Sequence, residues 1–170
     1  LLLLLAPIGA TAGRAPATAR ILVYGGAAIA TGANLAIALK FLLGGQDAPL
    51  LQVLPIGLPF LPAHFRLDAL SAYFLVVVNL VGLMAAVFGL GYGRHEHEPE
   101  RVLPFFPLFL AGMNLVPLAD DAFAFLVAWE FMSLSSWLLV LSTHHEADTP
   151  RAAQVYLVMA AMGTAALVLE

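Results

Sequence analysis

Apolar segments separated by short polar turns dominate the 170-residue chain. Each complete segment is about 18–24 residues long, which at 1.5 Å per residue crosses a hydrocarbon core of about 30 Å. Because lipid offers the backbone no hydrogen-bond partners, such segments are helices. The pattern predicts an all-α, polytopic transmembrane bundle, a single region of about six membrane helices over residues 1–10, 21–43, 69–92, 102–119, 122–143 and 152–169.

The longest connection, residues 44–68, is rich in Pro and Gly. Since Pro removes a backbone donor and interrupts helices, we expect an extended or re-entrant surface segment there. The chain begins with leucines rather than Met and stops directly after an apolar segment, so we expect a fragment of a longer protein. A signal peptide at its start is the less favoured alternative, because no basic residue precedes the leucines.

The connections differ in positive charge. Those after the first, third and fifth segments hold Arg14, Arg20, Arg94, Arg101 and Arg151, whereas the other side holds only Lys40 and Arg66. Positive charge concentrates on the cytoplasmic side of membrane proteins. Loops 11–20, 93–101 and 144–151 are therefore predicted to be cytoplasmic, and the fifth helix runs inward.

Composition agrees with a membrane setting. Hydrophobic residues make up 62% of the chain and charged residues 11%, against about 25% charged in soluble domains. The bilayer is thus the first expected partner, and a net charge of −4 argues against nucleic acid. The absence of Cys excludes thiol chemistry and iron–sulfur ligation. We expect no cofactor in this chain, so any redox groups lie on other subunits.

Glu130 is the only charged residue in the apolar run AFAFLVAWEFMSLSSWLLVLST. About 12 Å into the membrane, it costs on the order of 2.5 kcal/mol or more unless protonated or paired. Ser133 and Trp137 lie on the same helical face. Burial favours the protonated carboxyl and a nearby cation favours the ionised one, which predicts a proton site at Glu130 supported by Ser133. The alternative is a glutamate, permanently protonated or paired, that only ties helices together.

Other polar residues carry weaker signals. Asn79, Asn114 and Gln154 could line a hydrated path for protons, although hydrogen bonding between helices is the commoner role of such residues. Histidines and glutamates at 95–97 and 144–146 include metal-ligating types, but flexible turns do not preorganise a site, so solvated loops are the favoured interpretation. No catalytic chemistry is expected within the chain.

Two stretches resemble the antiporter-like membrane subunits: RLDALSAYFLVVVNLVGLMAAVFGLGY and PFFPLFLAGMNLVPLADDAFAFLVAWEFMSLSSWLLV. That family includes the large proton-pumping subunits of complex I, Mrp-type cation/proton antiporters and group 4 hydrogenase membrane subunits. The resemblance covers residues 66–170, and the Leu67–Ser71 segment and Trp129-Glu130 followed by Ser133 are its most telling parts. The segments AWEFMSLSSWLLV and HHEADTPRAAQVYLVMAAMGTAALVL are most similar to hydrogenase-4 component B and formate hydrogenlyase subunit 3. The sixth helix differs from the Arg and Gly-Asp pattern typical of complex I.

The resemblance implies about fourteen helices in two inverted repeats, with the first six in this chain. It implies that Glu130 pairs with a lysine on the seventh helix, beyond residue 170. It also implies movement of H⁺ or Na⁺ across a bacterial inner membrane. This movement would be coupled to electron transfer in other membrane subunits and a peripheral redox module of the nickel–iron hydrogenase type. Alternatives are a stand-alone Mrp-type antiporter subunit, a complex I membrane subunit, and a structural anchor with an inert Glu130.

Overall fold

The computed structural model describes residues 1–11, 15–44, 48–58, 61–93, 99–143 and 149–169. These residues confirm the predicted all-α class and add one two-stranded antiparallel sheet. The elements are α1 (Leu2–Ala10), α2 (Pro16–Leu43), β1 (Leu50–Leu58), β2 (Leu61–Leu67), α3 (Ala69–Tyr92), α4 (Pro99–Val102), α5 (Phe105–Leu115), α6 (Ala122–Val140) and α7 (Thr149–Leu169). Short 3₁₀ turns follow α5 at Val116–Leu118 and α6 at Leu141–Thr143.

Within these described ranges, three helices are long and apolar enough to cross a membrane: Ala17–Leu43, Ala69–Tyr92 and Ala122–Val140. The fourth predicted span is a shorter apolar helix, Phe105–Leu118. The first is represented by the 9 residues of α1 and the sixth by the 21 residues of α7. The helices thus have the lengths and composition of a multi-pass membrane bundle.

Helix boundaries follow local capping chemistry. α3 begins and ends at the predicted residues, because the Oδ1 atom of Asp68 accepts the Ser71 N–H at 2.8 Å and closes its first turn. α2 begins at Pro16 rather than at the predicted residue 21. Pro suits the first turn of a helix, since its fixed φ is helical and its missing N–H needs no partner there. Residues 16–20 are therefore helical, which corrects the second half of the predicted loop 11–20.

The predicted fourth helix, residues 102–119, is not continuous. α4 ends at Val102, and α5 begins only after Leu103 and Pro104. Pro104 cannot donate a helical hydrogen bond, and the Leu103 side chain fills the core at the break with 2% exposure. The predicted loop 93–101 consequently contains the helical residues 99–101.

The last helix also begins earlier than predicted. α7 starts at Thr149 rather than at residue 152, and Pro150 lies in its first turn, where a missing N–H needs no partner. Loop 144–151 is therefore shorter than predicted. Two of the arginines used to predict the orientation, Arg14 and Arg94, lie outside the described residues.

The two sides of α3 differ in side-chain size. Small residues on one side are buried, among them Ala72, Gly82 and Ala86, and α2 packs closely against α3. The opposite side exposes large apolar residues such as Val81 and Met84. Small residues let helix backbones approach closely in a membrane, and the large exposed ones suit acyl chains. This core is completed by α1 through Leu2 and Leu5 and by α5 through Leu110 and Ala111, which pack with Ala27 and Ala30 of α2 and Ala86 of α3.

The long connection at residues 44–68 contains the β1–β2 hairpin, in agreement with an extended surface segment. Its second strand joins the segment before α6, in an arrangement called here the clasp. The Asp120 N–H donates to the His64 carbonyl at 2.9 Å, and the His64 N–H donates to Asp121 Oδ2 at 2.7 Å. Arg66 Nε lies 2.8 Å from Asp120 Oδ1. The clasp thereby holds the N-termini of α3 and α6 at one face, as the predicted topology requires.

Asp121 serves both the clasp and the helix. Its Oδ1 atom accepts the Ala124 N–H at 2.7 Å and caps α6. That hydrogen bond is the main cause of a pKa held below the ordinary value of 3.8, and the hydrogen bonds from His64 lower it further. Because the folded pKa is the lower one, the stabilisation is complete above pH 3.8 and is lost as pH falls through the folded pKa.

Asp121→Ala should therefore destabilise the folded protein by about 1–2 kcal/mol at neutral pH, through loss of the cap and of the hydrogen bonds from His64. Thermal unfolding of the full-length protein in detergent measures the loss. The difference from wild type should shrink as pH falls below 3.8 and through the lowered pKa of Asp121, where its carboxyl becomes protonated. Asp121→Asn is the matched control, because an amide oxygen keeps the cap without the charge. A difference for Asp121→Ala that does not change with pH would contradict this assignment.

Candidate functional site

Glu130 lies in the middle of α6, about 12 Å along the axis from Ala122. Its side chain is partly buried, and Ser133, one turn further on, is 7% exposed. In the part of the chain that the structure describes, the ion pairs are His64–Asp121, Arg66–Asp68 and Arg66–Asp120, all at the clasp. Glu130 is thus a carboxyl at mid-helix with no cationic partner among the described residues.

The neighbouring polar groups on α6 differ in whether their hydrogen-bond donors are already used. Ser135 donates to the Phe131 carbonyl one turn back at 2.7 Å, so its hydroxyl hydrogen is used within the helix. Trp137 Nε1 is buried and has no hydrogen-bond partner among the described residues. Spacings of three and seven residues from Glu130 put Ser133 and Trp137 on its face. That face combines a carboxyl, a hydroxyl and a free indole donor, all of which can bond water or a polar neighbour.

Three asparagines meet where α2, α3 and α5 pack together, and they are called here the asparagine cluster. Asn114 Oδ1 accepts from Asn79 Nδ2 at 2.7 Å and from Asn34 Nδ2 at 3.3 Å. Asn79 Nδ2 also donates to the Leu75 carbonyl, and Asn114 Nδ2 to the Leu110 carbonyl, each at 2.8 Å. Asn114 is therefore the acceptor that joins three helices.

The asparagine cluster shows the hydrogen bonding between helices that is the commoner role of such residues. Direct amide bonds between Asn79 and Asn114 tie helices together. An open groove of about 290 Å³ lies beside Asn34 and Asn114, and its other lining residues are apolar, Leu1, Leu2 and Leu3 among them. The Asn79 Oδ1 atom is buried without a hydrogen-bond partner in the described chain. The place of Asn79 and Asn114 on a hydrated path stays a prediction.

The other predicted site residues are placed elsewhere. Gln154 lies on α7 with an exposed side chain, away from the asparagine cluster, and its place on a hydrated path stays a prediction. Asn34 was missed by sequence reasoning. The available signal was its spacing from Thr31, a polar pair one turn apart in an apolar helix. Thr31 instead donates to the Ala27 carbonyl of its own helix at 2.8 Å.

The histidine turns at residues 95–97 and 144–146 lie outside the described residues, so their interpretation as solvated loops stays a prediction. In the ranges that are described, no group of three or more His, Cys, Asp or Glu side chains could hold a metal ion.

Residues 55–101 match the family model of the N-terminus of chain 5 of NADH-ubiquinone oxidoreductase, complex I. The chain is 31% identical over 102 residues to NADH-quinone oxidoreductase subunit L of Mycobacterium tuberculosis, covering 60% of this chain and 16% of that protein. It is 36% identical over 85 residues to hydrogenase-4 component B of Escherichia coli, covering 49% and 13%. The resemblance to antiporter-like membrane subunits is confirmed.

Further comparisons place this chain among antiporter-like relatives of several kinds. A putative antiporter subunit of Staphylococcus saprophyticus is 31% identical over 86 residues, covering 50% of this chain and 11% of that protein. The structure of an archaeal membrane-bound sulfane sulfur reductase, a respiratory membrane complex, superposes with a TM-score of 0.72. That match covers 97% of this chain and 34% of the other at 19% identity, which establishes a shared fold.

The coverage limits what carries over from these antiporter-like proteins. The chain spans less than a fifth of the length of the curated relatives that it matches, between 11% and 16% of the three named here. The family model ends at residue 101, before α6 begins. The chain thus shares its fold and its similarity to membrane subunits with these relatives, whereas a role for Glu130 must be argued from the geometry around Glu130.

Replacing Asn114 tests the asparagine cluster. Asn114→Ala removes an acceptor shared by two amides and leaves the 0% exposed Asn79 with an unpaired N–H. We expect a loss of about 1–2 kcal/mol in the free energy of unfolding, measured by SDS or thermal denaturation of the full-length protein in detergent micelles. Asn34→Ala is the control and should cost less, because its single bond is long at 3.3 Å. Equal losses from the two variants would contradict the hub role of Asn114.

Proposed function

We propose that this chain belongs to a membrane subunit that moves H⁺ or Na⁺, with Glu130 as a protonatable gate residue in the path. The observation that carries the proposal is a partly buried carboxyl at mid-helix with no ion-pair partner among the described residues. A carboxylate at that depth is costly unless it exchanges a proton or is paired with a cation. Such a group can take up or release a proton when a neighbouring charge moves.

Ser133 would support water at this gate, because it follows Glu130 by one turn on the same face of α6. A hydroxyl bonds water as donor or acceptor. The asparagine cluster lies on the other side of α5, so Asn114 would act elsewhere on the proposed path and not at Glu130 itself.

The partners proposed are other membrane subunits and a peripheral redox module of the nickel–iron hydrogenase type. Similarity to hydrogenase-4 component B supports that module. Similarity to NADH-quinone oxidoreductase subunit L supports a related complex I arrangement instead. In either case the electron carriers are proposed to lie on partner subunits, and these 170 residues contain no Cys to ligate an iron–sulfur cluster. The bacterial inner membrane is the proposed location, with residues 93–101 on the cytoplasmic side.

Glu130→Gln in the full-length protein should abolish or sharply reduce ion translocation while the complex still assembles. The amide keeps the size of the side chain but cannot exchange a proton. Quenching of a pH-sensitive dye in inverted membrane vesicles measures proton movement, and co-purification of the other subunits measures assembly.

Glu100→Gln is the matched control, because it makes the same chemical change in the short helix α4, outside the apolar spans. It should leave translocation unchanged. Normal translocation by Glu130→Gln would refute the gate role and favour a structural anchor.

A stand-alone Mrp-type antiporter is the second candidate, supported by the similarity to a putative antiporter subunit. The two functions differ in their energy source. An antiporter exchanges cations for protons in vesicles under an imposed ion gradient without an electron donor, whereas a redox-coupled subunit needs electron transfer. Co-purification with small membrane subunits alone would favour the antiporter.

A further inference from the structure

α5 separates the asparagine cluster from the helix that carries Glu130. Asn114 faces α2 and α3 through its hydrogen bonds with Asn34 and Asn79. Gly112 precedes it by two residues, which at about 100° per residue puts it on the opposite face of α5. That face meets α6, and α5 and α6 pack against each other extensively. The hydrogen bonds of the asparagine cluster and the contact with α6 thus lie on opposite faces of the short helix α5.

Gly112 lies directly against the backbone of α6. A Cβ atom built on it would be 2.8 Å from both the Cα and the Cβ of Met132, and 3.0 Å from its backbone nitrogen. Ordinary van der Waals contact begins at 3.4 Å. The Cα and nitrogen of Met132 cannot rotate away as a side chain could. Any residue larger than glycine at this position must therefore push the two helices apart.

We propose that Gly112 is the positioning residue for Glu130. Met132 follows Glu130 by two residues and precedes Ser133 by one. The turn of α6 that contacts Gly112 is therefore the turn that contains Glu130. The asparagine cluster anchors α5 from behind, which leaves α6 as the helix that yields. This inference rests on the proposed function, because it concerns the same carboxyl.

The expected effect comes from the distance dependence of charge interactions. Relieving the contact moves α6 by about 0.6 Å. None of the described residues forms an ion pair with Glu130, so the expected shift is that for the neighbouring charge which the proposed function requires. For such a charge at about 4 Å from the carboxyl and an effective dielectric of about 20, a movement of about 0.6 Å shifts the protonation midpoint by about 0.4 pH unit. A displacement of this kind alters when Glu130 exchanges its proton without removing any polar group.

The test is a pH titration of the full-length protein in its membrane complex. Infrared difference spectroscopy follows the protonated carboxyl band, and Glu130→Gln assigns that band by removing it. Gly112→Ala should shift the midpoint of the band by about 0.4 pH unit or more, and the pH profile of translocation should shift with it.

Two other glycines provide matched controls. Gly9→Ala also meets backbone, with Leu103 and Pro104 atoms at 2.5–2.6 Å, but these atoms precede α5 and do not belong to α6. Gly25→Ala meets nothing within 4 Å in the middle of α2. Both should keep the wild-type midpoint, and Gly9→Ala reports the effect of tight packing in general.

The outcomes separate the inference from the function beneath it. Loss of translocation in Glu130→Gln with a wild-type midpoint in Gly112→Ala overturns the positioning role and leaves the gate intact. An equal shift in Gly9→Ala overturns it too, as general loosening. Normal translocation in Glu130→Gln instead refutes the proposed function. If Gly112→Ala does not accumulate, the double variant Gly112→Ala/Met132→Gly replaces it, because the new Cβ still meets the Cα of residue 132. Its reference is Met132→Gly. Equal midpoints in the double variant and this reference again overturn the proposal.

Discussion

The carboxamide oxygen of Asn114 is the acceptor on which the arrangement of this bundle depends. Lipid supplies no water to satisfy an amide, so the N–H groups of Asn34 and Asn79 must find an oxygen inside the protein. Asn114 Oδ1 accepts both, at 3.3 and 2.7 Å. α5 has only 11 residues and follows the interruption of the helix at Leu103 and Pro104. Neither its length nor its connection to α4 would therefore fix its position in the bundle. With α5 held in place, the position of α6 follows from their contact.

Local chemistry explains which elements were predictable. The bounds of α3 could be predicted because Asp68 caps the helix by accepting the Ser71 N–H, and a run without charged residues follows as far as Tyr92. The hairpin could be predicted only as an extended segment. Its partner groups, Asp120 and Asp121, lie more than fifty residues away, and no local pattern reports them. The broken fourth span was missed because apolar residues on both sides of Pro104 read as one continuous run.

The residues of the candidate site also differ in how far the sequence alone reveals them. Glu130 stands out in the sequence because one charge in an apolar run has few structural explanations. Asn34 does not, since its significance depends on how three helices are rotated against each other. Gly112 has no chemical signal at all, because a glycine in a membrane helix is common and only the measured approach to Met132 distinguishes it. Sequence thus identifies the reacting group, and packing identifies what holds it.

The clasp also bears on how the protein is made. His64 and Asp121 are 57 residues apart, and Asn34 and Asn114 are 80 apart. A ribosome delivers the chain from its N-terminus, so α2, the hairpin and α3 enter the membrane before their later partners exist. Until Asp121 emerges, the strand that will receive it presents its backbone groups to water at the membrane face. The clasp can therefore close only after α4 and α5 have been synthesised, and its closure requires the N-terminus of α6 to lie on the same side of the membrane as that of α3.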